Sequence, residues 1–374
     1  MLGKYMQLLV LGLFAVAVTG CSSGHLTGGG TPTPTPTPAV NPVFAYVANT
    51  ADNTISIYTV SGATGALTPA TPATVTTGNQ PNGLVVDPLS KFIYTANRLN
   101  NTVSIYTINS TTGALTPNTP ATIATGGGPE GLSMHPSGKF VYVANTNDNT
   151  VGVYLVSAAN GSLSPATPAT VTTGGQPLAI AFDPAGKFAY VTNELDNTLS
   201  MFAVNATTGS LTPLTPATVA TRATPFMAVV DPSGRFVYVP NETDNSVSMY
   251  TLNATTGVLT PNTPAFIATG NQPTAVAVTP SGKFAYAVNR VSGTISMYTV
   301  NTTTGILSPA ATPIIPTGAL PFAIFVDLSG RFVYVANENS NNVSIYTINT
   351  DGTLTSAGTA AAGNTPAAVA VIDR

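Results

Sequence analysis

Tryptophan is absent from this 374-residue chain, cysteine occurs once, histidine twice, and charged residues make up only 7%. A single cysteine forms no internal disulfide, so no covalent framework of that kind holds the fold. His25, His135 and Cys21 are too few and too scattered for a zinc or copper centre, so no metal and no cofactor is expected. Calcium needs only carboxylate and carbonyl oxygens, and turn residues of this kind stay compatible with it. The net charge is −3, with 11 Lys and Arg dispersed along the chain. That leaves no basic stripe for nucleic acid and no polybasic surface for lipid head groups. No glycine-rich phosphate loop precedes a helical pattern, and no serine has a partner histidine within reach of a sequence argument.

What the chain does have is a period. Phe-x-Tyr-Val-x-Asn, or a close variant, begins at Phe44, Phe92, Phe140, Phe188, Phe236, Phe284 and Phe332, always 48 residues apart. Periods of this size, made of strand formers with turn residues between, mark β arrays of stacked or radial units. In the unit from Pro225, the apolar run 226–230 predicts a strand buried on both faces. Asp231-Pro232-Ser233-Gly234 fits a type I turn. Phe236 to Val239 and Val247 to Leu252 predict a second and a third strand, joined where Asn245 tolerates a left-handed backbone. Gly257 supplies positive φ at the next reversal. The Thr/Pro-rich stretch 259–269 predicts a fourth strand, held at an edge by its prolines. Four antiparallel strands per unit describe a propeller blade. The chain starts at a second strand and stops after a first, Ala367 to Ile372, so pairing its ends would close a seventh sheet. The fold class is therefore all-β: a seven-bladed propeller shut by its C-terminal strand, with an open solenoid as the alternative.

Residues 1–20 read as a signal peptide, with Lys4 before an apolar core at Leu8 to Val18 that is too short to span a bilayer. Val18-Thr19-Gly20-Cys21 resembles the lipobox of bacterial lipoproteins, which implies lipid attachment at Cys21; an ordinary signal with an incidental cysteine is the alternative. Ser22 and Ser23 follow, where an Asp would oppose outer-membrane sorting, so in a two-membrane organism the resemblance implies the outer membrane. Residues 21–42, with Thr-Pro four times over 31–38, form an extended stalk. Residues 43–374 form the propeller, expected to be a monomer that meets the membrane only through its anchor.

Because the repeats share a register, each charge can be assigned to a rim. The rim with the first-to-second and third-to-fourth turns is balanced. The other carries Asp52, Glu130, Asp148, Glu194, Asp196, Glu242, Asp244 and Glu338 against Arg98, Arg222 and Arg290. Five of these residues, Arg98, Glu194, Glu242, Arg290 and Glu338, occupy the position after the Asn of the second strand. Loops on one face of a rigid scaffold are where recognition concentrates, so this acidic face is the candidate binding surface, for a cell-envelope protein or glycan. Solubilising turn chemistry without a ligand is the other reading. His135 replaces Asp at a turn start and reads as a cap of its own turn.

Tyr190-Val191-Thr192-Asn193 is the tetrapeptide of the YVTN propeller repeats, and residues 43–372 resemble the seven-bladed lactonase family that includes the 6-phosphogluconolactonase and muconate-cycloisomerase-like enzymes. Phe188 to Leu195 is similar to that family's Tyr-x-x-Asn-Glu-Leu segment, and the resemblance implies an active-site role for Glu194. The family's Arg-His after the strand-opening proline is replaced by Leu178-Ala179, and its His-x-His one blade earlier by Glu130-Gly131-Leu132. A lactone hydrolase would then need a site rebuilt around Glu194, with Arg98, Arg222 and Arg290 as available cations. A binding module at the acidic face is the leading expectation, and such an enzyme the alternative.

Overall fold

The computed structural model describes residues 43–372. The expectations for the signal segment, Cys21 and the stalk lie outside these residues. The described chain forms seven antiparallel sheets of four strands each. Blade 1 combines Pro366–Ile372 with Val43–Asn49, Thr54–Val60 and Leu67–Thr76. Blades 2 to 7 follow in chain order, each starting from its innermost strand. Closure is by register pairing of the chain ends, Val47 opposite Val369 and Tyr46 opposite Ala370.

The recurring motif is explained by contacts between neighbouring blades. The Tyr of each Phe-x-Tyr donates its hydroxyl to a turn-glycine carbonyl one blade on, from Tyr46 to Gly113 at 2.8 Å through to Tyr334 to Gly65 at 3.0 Å, which completes the circle. The ring of the Phe two residues before is pressed against the same glycine. A Cβ on Gly257 would come within 2.3 Å of the Phe188 ring, and its φ is +75°, so only glycine satisfies both the turn and the packing. The tyrosine of the third strand points the other way round the ring, for example Tyr106 to the carbonyl of Thr76 at 2.6 Å. Each hairpin Asn at positive φ accepts a bond from the lead-in loop of the following blade, as Asn245 does from Gln272 N at 2.8 Å.

Two strand expectations need correction. The first strands are not buried on both faces: Pro81–Val86 is half-exposed along its middle, whereas the second strand Phe92–Asn97 is buried throughout. The reason is that one side of these strands lines a central channel; the exception is Pro273–Val278 of blade 6, which is buried throughout and has Met227 of blade 5 against it. The stretch 226–230 is a regular strand only at Val229–Val230. Pro240 in its partner strand has no N–H to donate, and Met227 N turns instead to the carbonyl of Thr274 in blade 6 at 3.2 Å.

Candidate functional site

Six of the seven blades break register at the start of the first strand, as where Pro129 opposes Asn145 but Leu132 opposes Val143. Such bulges re-aim side chains. Here they place Asn82 and Glu130 at the mouth of the central channel, a cavity of about 250 Å³. Gly131 allows this, since a Cβ there would lie 2.3 Å from the carbonyl of Leu178 in the neighbouring strand. The residue after each second-strand Asn supplies an adjoining ring: Thr50, Arg98, Thr146, Glu194, Glu242, Arg290 and Glu338.

These positions are linked across blades. Thr50 Oγ1 donates to Asn82 Oδ1 at 3.2 Å, and Asn82 Nδ2 donates to Glu130 Oε1 at 2.8 Å. Arg98 Nε lies 3.1 Å from Glu130 Oε2. That approach is an ion pair without hydrogen-bond alignment, and Oε2 keeps acceptor capacity. Burial pushes the Glu130 carboxyl above its ordinary 4.5 despite Arg98 and Asn82, with Glu194 and Glu338 adding repulsion. On the other side, Arg290 binds Glu338 through Nε at 3.0 Å and Nη2 at 2.7 Å.

Glu194 and Glu242, on adjacent blades, take no part in the three ion pairs among the described residues. Both carboxyls are half-buried and raised above 4.5, first by desolvation; Glu242 raises Glu194 further, Arg98 lowers Glu194 and Arg290 lowers Glu242. Below the rim the channel wall is apolar, with Leu178, Phe226, Met227, Phe322 and Val369. Phe226 and Phe322 meet edge to face at 5.5 Å between centroids.

The structure thus links six of the seven candidates (Arg98, Glu130, Glu194, Glu242, Arg290 and Glu338) through ion pairs and mutual electrostatic influence, with Glu130 lining the channel itself. Arg222 is not among them. It pairs with Asp244 and stacks on Phe266 of an outer strand, 3.9 Å from the ring centroid. The acidic face also divides into two sets that sequence counting merged. Asp52, Asp148 and Asp196 accept backbone N–H groups of lead-in loops at 2.7, 2.7 and 2.8 Å. Ser292 and Ser340 do the same at equivalent positions. These are loop caps. The facing phenylalanines were legible only as apolar residues after a proline.

His135 does cap its turn: its Nδ1 accepts from Ser137 N at 3.1 Å. It also donates Nε2–H to the Gly186 carbonyl of blade 4 at 2.7 Å, far from the mouth. No three His, Cys, Asp or Glu side chains among the described residues gather so as to hold a metal ion.

The profile "Lactonase, 7-bladed beta-propeller" matches residues 39–126, 133–317 and 222–371. No curated protein matches the chain. Among solved structures, a protein assigned as a 6-phosphogluconolactonase from Bacteroides fragilis superposes with a TM-score of 0.78 at 20% identity, over 91% of this chain and all of that one. The periplasmic gluconolactonase of Pseudomonas aeruginosa gives 0.72 at 20%, over 89% of this chain and 99% of its own. Hydrazine synthase of Kuenenia stuttgartiensis also matches, at 0.56 and 16%, over 79% of this chain and 95% of its own. At these identities the structural likeness shows the fold alone.

Proposed function

The chain belongs to the seven-bladed β-propeller lactonase family, and from that premise we propose that it is a lactone hydrolase working at the channel mouth, with Glu194 as general base. The observation that carries this is the Glu194 carboxyl itself. It is raised by burial and by Glu242, has no ion-pair partner, and sits on the same rim as Arg98. A perturbed carboxyl beside a cation in a concave site is a functional candidate on physical grounds.

In the proposed reaction Glu194 takes a proton from water as the water oxygen bonds to the acyl carbon. The Arg98 guanidinium offsets the charge developing on the carbonyl oxygen. The ring C–O bond then breaks, and the leaving oxygen receives the proton from Glu194, giving a hydroxy acid. Glu130 is a positioning residue that fixes Arg98. The gluconolactonase and 6-phosphogluconolactonase neighbours support the reaction class. The replaced histidines mean that the family's other polar groups have no counterpart here.

Export with lipid attachment at Cys21 is part of the same proposal and would put the enzyme on a membrane-held stalk. Recognition of an envelope protein or glycan by the acidic face is less well supported, because the outer aspartates are already engaged by loop backbone or by Arg222.

The test is ring opening of a panel of sugar, aliphatic and aromatic lactones by wild type and Glu194→Gln. We expect kcat to fall by about 10²–10⁴ in the variant. The base must be ionised, and its folded pKa is raised, so activity should rise with pH along a limb centred above 4.5. Glu242→Gln removes one raising influence and should move that limb to lower pH. Wild-type turnover no faster than Glu194→Gln across the panel would eliminate the reading.

A further inference from the structure

We propose that the ligand of this mouth is an uncharged lactone bearing a hydrocarbon substituent, with the ring at the carboxylate rim and the substituent in the central channel. This rests on the lactonase reading and adds the substrate class to it.

Charge comes first. The mouth holds four carboxyl groups, Glu130, Glu194, Glu242 and Glu338, against two guanidinium groups. Both guanidinium groups are already engaged, Arg98 with Glu130 at 3.1 Å and Arg290 with Glu338 at 2.7 Å. Arg222, the third cation of this rim, is turned outward onto Phe266. A phosphate or carboxylate on the substrate would therefore meet a net negative rim, where Arg290 is held by Glu338 and the remaining N–H groups of Arg98 are taken by the lactone carbonyl. Bringing a like charge into such a low-dielectric cleft is unfavourable.

The channel decides the rest. Beneath Glu194 and Glu242, the same two blades contribute Leu178 and Phe226 to the wall, and Phe322 closes on Phe226. The hydroxyls near this wall are satisfied internally: Thr274 donates to the carbonyl of Phe322 at 2.7 Å, and Ser133 to that of Ile180 at 2.6 Å. Polar capacity is concentrated at Asn82 and Glu130, at the top. A polyol chain pushed below them would lose water without finding partners, whereas hydrocarbon would not. A volume of about 250 Å³ is roughly eight times the ~30 Å³ that one water molecule takes up in the liquid. A short alkyl or a single aromatic substituent is therefore the right size.

The experiment uses the intact chain and measures binding as well as turnover. Calorimetric titration with non-hydrolysable lactams of one ring size, bearing hydrogen, butyl or octyl, should show affinity rising up to about fourfold per methylene. A lactam with a terminal carboxylate or phosphate should bind at least tenfold more weakly than the butyl compound. Ala368→Phe, which fills the channel, and Phe226→Ala, which removes part of its wall, should each flatten the dependence on tail length. The wild-type series decides the matter alone if either variant fails to fold. Affinity independent of tail length, or tightest for the charged lactam, would overturn the inference. Tail-dependent binding without hydrolysis of the matching lactones would support the channel assignment and remove the hydrolase reading. Hydrolysis indifferent to the tail would do the reverse.

Discussion

Phe202 stands where every other blade has tyrosine in its third strand. Those tyrosines donate to a backbone carbonyl in the preceding blade, as Tyr154 does to Ala124 at 3.0 Å and Tyr250 to Ala220 at 2.7 Å. By the same register, the missing bond of blade 4 would run to the carbonyl of Thr172. Phe202→Tyr should therefore stabilise the protein by about 1 kcal/mol, seen as a higher urea midpoint; no gain would mean that this inter-blade contact has relaxed. His135 is a second residue-scale case. Burial holds its imidazole pKa below the ordinary 6.5, against Gly186 and Asp183, which act to raise it. Below 6.5 the unfolded chain thus binds a proton that the folded chain resists. The contribution of His135 to stability is complete above 6.5 and declines as pH falls towards its folded value. His135→Asn should flatten that part of a plot of melting temperature against pH.

At the scale of the element, the repeated turns separate backbone strain from packing. Gly257 and Gly282 both have positive φ, +75° and +68°, but only Gly257 is pressed by a ring, Phe188; a Cβ on Gly282 would meet nothing within 4 Å. Gly282→Ala should cost about 1–2 kcal/mol from the left-handed backbone alone. Gly257→Ala should cost about 1–3 kcal/mol more from overpacking, and equal urea midpoints for the two variants would contradict the role given to Phe188. The first strands carry the irregularity on which the proposed site rests. Their opening bulges aim Glu130 into the cavity, and Pro240 releases Met227 towards blade 6.

For the whole molecule, closure governs stability. The strand Pro366–Ile372 covers Val43–Asn49 and brings buried Val369, Val371 and Ile372 into the core. Ending the chain at residue 365 should cost on the order of 5 kcal/mol or more. It should also leave an unpaired edge prone to association. Size-exclusion chromatography with light scattering, followed by thermal melts, checks both. A truncated chain that stays monomeric with an unchanged melt would show that closure contributes little.

The sequence alone determined the number of blades, their strand order and the rim on which each charge lies. All three follow from a period of 48 residues and the alternation of turns, which are local properties of the chain. It also marked Glu194 through its family segment. It did not separate Glu194 from Asp196, although one is half-buried beside Glu242 and the other caps a loop. That distinction depends on how far each position lies from the ring axis, a coordinate that no periodicity contains. Tertiary structure likewise decided that Arg98 meets Glu130 across a blade junction and that Arg222 faces outward. It alone placed Phe226 against Phe322, residues two blades apart that meet because the segment around Met227 leaves its own blade for blade 6.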